Sequence, residues 1–424
     1  MCINNITIEK FSAIYEFADE TARGIADEHL ASVFRACYLN TLETTVKFGD
    51  DNDIFVITGD IPAMWLRDSS VQMSHYVRLA DKNKNIDYLL RKFMRRQFRF
   101  ILEDPYANAF NMTADGNGWK DKTKLNPNVW ERKFEVDSLI YPLWLLNSYY
   151  MRTKDKTVFG ELFFDAYKVI LDTLTCERDY LKTSDYSFER PDSRDSLPGG
   201  GRGGRYSYTG MVRSAFRASD DRCEYPFNIP ENIFACCVLR ELVKNIDSAD
   251  VFNPYDDVTA ELCGSIEYGV KHFGMTEHEK YGTIYVYETD GMGNTLLMDD
   301  ANVPSLLSLP YLGCVDKNDE VYKNTRRFIL SSDNPYYFDG ACARGVGSPH
   351  TPDGSIWPIA LMIEGLTTDD KEEIDRILAA LLACDAGTGF MHESFDCNDS
   401  EKYTRPWFAW ANTLFSIFVM DKVL

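Results

Sequence analysis

The chain has 424 residues, of which 45% are hydrophobic and 13% aromatic, enough to bury a sizeable core. Its 66 Asp and Glu residues outweigh 45 Lys and Arg, for a net charge of −21. So acidic a surface, with no basic cluster against it, excludes nucleic acid and anionic membranes as partners and favours a neutral or cationic ligand.

The first seventeen residues hold no basic segment followed by an apolar run, so a secretory signal is not expected. The most apolar late stretch, Trp407 to Met420, is too short to span a bilayer and contains Asn412. Eleven cysteines lie at irregular spacing, with Cys236 and Cys237 adjacent and no C-x-x-C. That usage points to reduced thiols and against a disulfide framework or a zinc site. The expectation is a soluble, cytoplasmic monomer with no cofactor and no metal.

Apolar residues at helical spacing begin over 7–22 (Ile8, Phe11, Ile14, Tyr15, Ala18) and 27–44 (Leu30, Val33, Phe34, Cys37, Leu42). Further helices are predicted over 69–81, 86–104, 134–152, 158–177, 228–245 and 254–272. The series continues with 300–312, 318–331, 354–366, 369–383 and 404–420. Strand signals are sparse: 53–60 and 282–291 suit short hairpins, and Tyr206 to Thr209 another strand.

From residue 27 onward twelve helices alternate between two kinds. One kind (27–44, 86–104, 158–177, 254–272, 318–331, 369–383) is amphipathic and often highly charged. The other begins after a long stretch of acids, aromatics and prolines, as in "IPAMWLRDSS", "WERKFEVDS", "DDRCEYPFNIPEN", "MDDANVPS", "PHTPDGSIWP" and "EKYTRPWFAW". Pro230, Pro304, Pro358 and Pro406 fall near predicted first turns, where proline is tolerated; Pro142 falls deeper in its helix. Six plain outer helices alternating with six decorated inner ones describe an all-α (α/α)6 barrel, a single domain over 1–424 with small β-hairpin decorations. An open solenoid would need a fixed sequence period, and none is present. In such a toroid the inner helix N-termini converge, so loops far apart in sequence build one pocket.

The stretch 58–70, "TGDIPAMWLRDSS", sets Trp65 beside Asp60, Arg67 and Asp68, a residue mix suited to gripping a sugar. Asp68, Ser69 or Ser70 is expected to cap the helix behind it. The glycine run of 191–205 satisfies G-x-G-x-x-G but lacks the preceding strand and following helix of a dinucleotide site. It reads instead as a mobile loop near the pocket, with Arg202 or Arg205 reaching ligand. "HESFD" (392–396) has no second histidine for a zinc helix, and "DDND" (50–53) lacks the glycine and glutamate of a calcium loop.

What remains is acids among aromatics. Hydrolysing an acetal needs one carboxylic acid to protonate the leaving oxygen and a second carboxylate to activate water or attack. Asp220 and Asp221 precede an aromatic, proline-rich run, and Glu393 lies between glycines and a mixed acidic stretch. Any single acid could cap a helix, and Asp221 could pair with Arg222; the case rests on Asp68, Asp220 and Glu393 all leading towards inner helices. Asn302, Arg344, His350, Trp357 and Trp407 supply groups that bond to or stack on sugars. Trp119 and Trp130 sit in a long loop, 105–133, of the kind that rims a pocket.

The ordered motifs "TGDIPAMWLRDS", "RASDDRCEYPFNIPEN", "DDANVPSLLSLPYL", "RGVGSPHT", "SIWP" and "GTGFMHESF" resemble glycoside hydrolase family 125, the metal-independent exo-acting α-1,6-mannosidases. They extend from about residue 58 to 410. The resemblance implies an (α/α)6 barrel and an inverting release of terminal mannose from α-1,6-linked oligosaccharides such as N-glycan fragments. It places the general acid on Asp220 and the general base on Glu393, a choice spacing alone does not make between Asp220 and Asp221. Trp65, Arg67, Asp68, Asn302, Arg344, His350 and Trp407 would hold the sugar. The competing expectations are a non-catalytic carbohydrate-binding toroid, or a glycosidase or phosphorylase acting on another sugar. Phosphorolysis is disfavoured by the lack of a dense basic cluster.

Overall fold

The alternation of charged and decorated helices in the sequence reappears as a difference in burial. The computed structural model describes residues 9–49, 53–191 and 193–424. Outside these ranges lie residues 1–8, with Ile8 and the start of the first predicted helix. So do 50–52 of the acidic run and Asp192 of the glycine-rich loop; those expectations lie outside the described residues.

The principal helices are α1 (Ser12–Gly24), α2 (Glu28–Asn40), α3 (Leu66–Ser74), α4 (Lys84–Glu103), α5 (Val136–Thr153) and α6 (Glu161–Glu177). After a single turn, α7 (Tyr180–Thr183), come α8 (Ile229–Ser248), α9 (Asp256–Phe273), α10 (Glu320–Ile329), α11 (Pro358–Leu366), α12 (Lys371–Ala383) and α13 (Ala409–Phe418). All ten residues of α13 are buried, against three of the thirteen in α12, which separates an inner helix from an outer one. The inner helices pack in sequence, α3 on α5, α5 on α8, α11 on α13, and α13 back on α3. Outer helices back them: α2 lies on α13, α9 on α8, and α12 on α11. The molecule is thus mostly helical, with six small antiparallel sheets of two or three strands. One apolar cluster runs from Phe11 to Val419, and a small separate one joins Trp65 to Ala63 and Ala109. Among the described residues no helix is long and apolar enough to cross a membrane.

The two kinds of helix also begin differently. Four outer helices are capped by side chains, Asp27 on α2, Asn83 on α4, Asp319 on α10 and Asp370 on α12, each accepting a backbone N–H of the first turn, whereas α6 and α9 are not; of the inner helices α8 is capped, by Asn228. Such a cap stabilises a helix by about 1 kcal/mol. Inner helices α3, α5, α11 and α13 begin at Trp65, Glu135, Trp357 and Phe408, and none of these side chains caps its helix. Their first amides are met from elsewhere: Leu66 N–H donates to the Asn108 carbonyl at 3.0 Å and Val136 N–H to Ser214 Oγ at 3.0 Å, and Pro358 has none to offer.

Three local expectations are corrected. Residues 300–312 form turns, not a helix, because side chains take the amides a helix would use. Asp299 accepts from the amides of Leu306 and Leu307, both at 2.9 Å, Asp300 accepts from Asn302, and Ser305 and Ser308 bond reciprocally. Tyr206 to Thr209 is not a strand. The capping expected of Asp68, Ser69 or Ser70 does not occur, because α3 starts earlier, at Leu66. Asp68 lies in its first turn, and the Ser69 and Ser70 hydroxyls donate back to carbonyls of Trp65 and Leu66. Pro230 and Pro358 do sit in first turns, and Pro142 lies inside α5.

Candidate active site

The helix-initiating residues Trp65, Trp357 and Phe408 wall a pocket that also takes in Arg67, Asp68, Asp220, Asn302, His350, Glu393, Arg405 and Trp410. Eight residues expected from the sequence therefore meet here: Trp65, Arg67, Asp68, Asp220, Asn302, His350, Trp357 and Glu393. Two do not. Arg344 is exposed on a short strand paired with residues 337–339, and Trp407 lies outside the lining with its ring against Gly59. A Cβ on Gly59 would fall 3.1 Å from that ring, so the glycine is needed for the close approach.

Beneath the pocket, Arg67 is 3% exposed and uses four of its five N–H donors on carboxylates. Nε reaches Asp137 at 2.7 Å, Nη1 reaches Asp68 at 2.7 Å, and Nη2 reaches both Glu135 at 2.9 Å and Asp220 at 2.8 Å. Its plane lies 5.7 Å over the Trp410 ring. Arg67 was expected to grip sugar; in the structure it organises acids, leaving at most one N–H for a ligand. Burial pushes Asp68 and Asp137 up to about 6, with Arg67 opposing the rise. Burial pushes Glu135 well above the usual carboxylate range, reinforced by the charges of Asp220 and Asp137.

Asp220 is presented at the tip of a tight turn. The amide of Arg217 donates to the Asp221 carbonyl and that of Asp220 to the Arg217 carbonyl, both at 2.8 Å. The turn holds Asp220 at φ 64, a left-handed conformation uncommon outside glycine and least costly for Asp and Asn. Two anchors fix it. Glu288 accepts from Arg217 Nε at 2.6 Å and from the amides of Glu224 and Tyr225 on the returning segment. Lys133 Nζ donates to the Asp220 carbonyl at 2.6 Å and to Asp195 at 2.9 Å. Burial acts to raise the Asp220 carboxyl, but Arg67 and Lys133, with a hydrogen bond from Glu135, outweigh it and hold it well below the usual range.

Glu393 enters from the other side of the chain, just before the strand Ser394–Asp396. Arg405 Nε lies 3.2 Å from its Oε1, and Nη1 of the same arginine lies 3.2 Å from Asp60. Asp221 faces away from Arg67: it accepts from Arg194 and lies 3.5 Å from His350 Nδ1. Burial works against a charge on His350, but its bond to Asp221 and the charges of Asp220 and Glu393 raise it above its ordinary value.

The glycine-rich loop contributes through other residues than expected. Arg194 and Asp195 reach Asp221 and Lys133, whereas Arg202 and Arg205 are absent from the lining. Trp119 is an exposed ring beneath Arg190, and Trp130 packs on the Trp65 cluster. Sequence reasoning did not single out Lys133, Glu135, Asp137, Arg405 or Trp410. The first three lie in "WERKFEVDS", whose equivalence to the acid-bearing lead-ins of the other inner helices was the available signal. Among the described residues no group of three or more His, Cys, Asp or Glu is arranged to hold a metal ion.

The family model for metal-independent α-mannosidases (GH125) matches residues 27–420. A solved metal-independent α-mannosidase of Streptococcus pneumoniae, captured in a non-productive complex with α-1,6-mannobiose, is 43% identical with a TM-score of 0.93, covering 100% of this chain and 99% of that one. The meiotically up-regulated gene 157 protein of Schizosaccharomyces pombe is 36% identical over 96% of this chain and 85% of its own length. A glycosidase variant solved with glucose, 14% identical, covers 99% of this chain and 98% of its own at a TM-score of 0.52, which speaks to the fold alone.

Proposed function

The chain belongs to glycoside hydrolase family 125, the metal-independent α-mannosidases, and on that premise we propose that it is an exo-acting α-1,6-mannosidase that releases terminal mannose with inversion. The observation carrying the proposal is that two acids from separate hairpins, Asp220 and Glu393, line one pocket with buried Arg67 and Trp410. A pocket closed by buried side chains suits a chain end better than a chain interior. The linkage is that of the mannobiose bound by the pneumococcal relative, and N-glycan fragments are the corresponding natural class of substrate.

Asp220 Oδ1 is engaged by Arg67, so Oδ2 donates the proton to the glycosidic oxygen as the bond to the anomeric carbon breaks. Glu393 takes a proton from the water that attacks the same carbon from the opposite face. Trp65, Asp68, Asn302 and His350 hold the terminal mannose. The scaffold for these roles is an (α/α)6 barrel in which the turns of 300–312 stand in for one inner helix, and a single domain over 1–424; the packing of inner helices on one another and the continuous core support it. A cytoplasmic monomer is the accompanying expectation, in keeping with ten free cysteines among the described residues.

The test is a panel of α-1,2-, α-1,3- and α-1,6-mannobiose with the product anomer followed by NMR. β-Mannose appearing first, from the α-1,6 isomer alone, is the expected result. α-Mannose first would overturn inversion, and equal rates across the panel would overturn the linkage. Running the panel in phosphate-free buffer with EDTA separates hydrolysis from phosphorolysis and from metal catalysis.

A further inference from the structure

An acid held well below the ordinary carboxylate range by two cations is poorly prepared to donate a proton at neutral pH. The structure places a second carboxyl against it. Nη2 of Arg67 donates both to Asp220 Oδ1 at 2.8 Å and to Glu135 Oε2 at 2.9 Å, so the two carboxyls lie side by side on one nitrogen. They come from different elements: Asp220 from the turn 217–221, and Glu135 from the start of α5, where its side chain is 0% exposed.

The surroundings do not supply enough positive charge for all of these acids to ionise. Arg67 is the ion-pair partner of Asp68, Glu135, Asp137 and Asp220, with Lys133 adding attraction at Asp220 and Arg405 at Asp68. The next cation, Lys133, is shared with Glu131 and Asp195, which Arg190 also engages along with Asp121. From α8 the buried Glu231 adds a further carboxyl near Asp137, and from the 350 loop His350 adds a titratable group whose charge acts on Asp220. Acids crowded in a desolvated site retain protons instead of ionising together.

Taking Asp220 as the general acid, we propose that Glu135 and Asp220 share a single proton, with Glu135 holding it at rest and passing it to Asp220 when the glycosidic oxygen arrives. Burial and neighbouring negative charge favour the proton on Glu135 in the resting site. Ionised Glu135 is nevertheless provided for: Arg67 Nη2, Ser138 Oγ at 2.8 Å and Asn108 Nδ2 at 3.0 Å already donate to it. The transfer therefore moves a proton between two hydrogen-bonded carboxyls without exposing an unsolvated charge.

The cycle balances. Glu135 loses its proton to Asp220, and Asp220 gives it to the leaving oxygen as the bond to the anomeric carbon breaks. Water attacks that carbon and yields its proton to Glu393. Glu393 then releases the proton to solvent, and the pair regains one through Asp220, whose side chain is 25% exposed. Glu135 is thus a positioning residue that acts through Asp220 and sets the upper pH limit of activity.

The test is Glu135→Gln, which keeps the side chain's size but stores no proton. The alkaline limb of kcat/KM on α-1,6-mannobiose should move down by about one pH unit or more. Hydrolysis of a dinitrophenyl α-mannoside, whose leaving group needs no proton, should fall far less, and Glu135→Asp should restore part of the limb. An unmoved limb, or equal losses on both substrates, overturns the proposal. Asp220→Asn on the same substrates separates the two ideas, since a missing leaving-group dependence there means Asp220 is not the acid. If Glu135→Gln does not fold, infrared difference spectra of the natural enzyme at pH 7 decide. A protonated carboxyl perturbed by mannose binding supports the shared proton, and none overturns it.

Discussion

Arg67 and Asp220, 153 residues apart, are joined at 2.8 Å through the same nitrogen that holds Glu135. The charge of one buried guanidinium thus reaches the proposed acid, its neighbour and the two aspartates beneath the pocket.

Replacing Arg67 should consequently be among the most damaging single changes. Arg67→Lys supplies one ammonium where a planar fork serves four carboxyls, so charge conservation does not rescue it. Leaving buried acids unpaired should cost about 3–5 kcal/mol of stability. Denaturant unfolding with parallel activity assays checks this; a variant as stable and active as the natural protein would mean the cluster contributes nothing.

Glu393→Gln should retain sugar affinity and lose about 100- to 10,000-fold in kcat, the usual span for a general base. Azide, which needs no deprotonation, should restore turnover and give β-mannosyl azide. An α-configured azide, or no rescue of a folded variant, would remove Glu393 from the base role.

The His350–Asp221 pair makes a pH-dependent contribution to stability. His350 is raised in the folded protein, so its share is present below about 6.5 and lost as pH climbs through the raised value. Asp221 is lowered despite burial, chiefly by His350, so its share is present above about 3.9 and lost as pH falls through the lowered value. The melting temperature gap between the natural protein and His350→Gln should be widest between roughly pH 4 and 6.5 and narrow towards pH 9. A gap independent of pH would show that the histidine acts through packing.

Asp299→Ala should unsettle the turns that deliver Asn302. Both oxygens of Asp299 accept backbone amides, and removing them leaves two buried N–H groups unpaired, a loss of about 3 kcal/mol. Hydrogen exchange at Leu306 and Leu307 should accelerate and KM for mannobiose should rise; unchanged exchange would count against the role of Asp299.

The helices were legible because each announces itself locally. The charged face of α4 is a property of neighbouring residues, and periodicity reports it. The segment 300–312 shows where local reading fails. Its apolar spacing suits a helix, but Asp299, Asp300, Ser305 and Ser308 claim the amides first, and which claim wins depends on packing.

At the site the sequence by itself determined the inventory: Trp65, Asp68, Asp220, Asn302, His350 and Glu393 stand in lead-ins to inner helices, and ordered motifs carry the family. Only the tertiary structure decided what those residues do to one another. Arg67 looked like a sugar ligand until its donors were found engaged by Asp68, Glu135, Asp137 and Asp220. Glu135 gave no signal beyond its place in "WERKFEVDS", because the protonation of a buried acid depends on charges brought near by folding. Composition and spacing fix which groups are present, whereas Coulomb energy depends on distance and desolvation, and both exist only once the chain has closed.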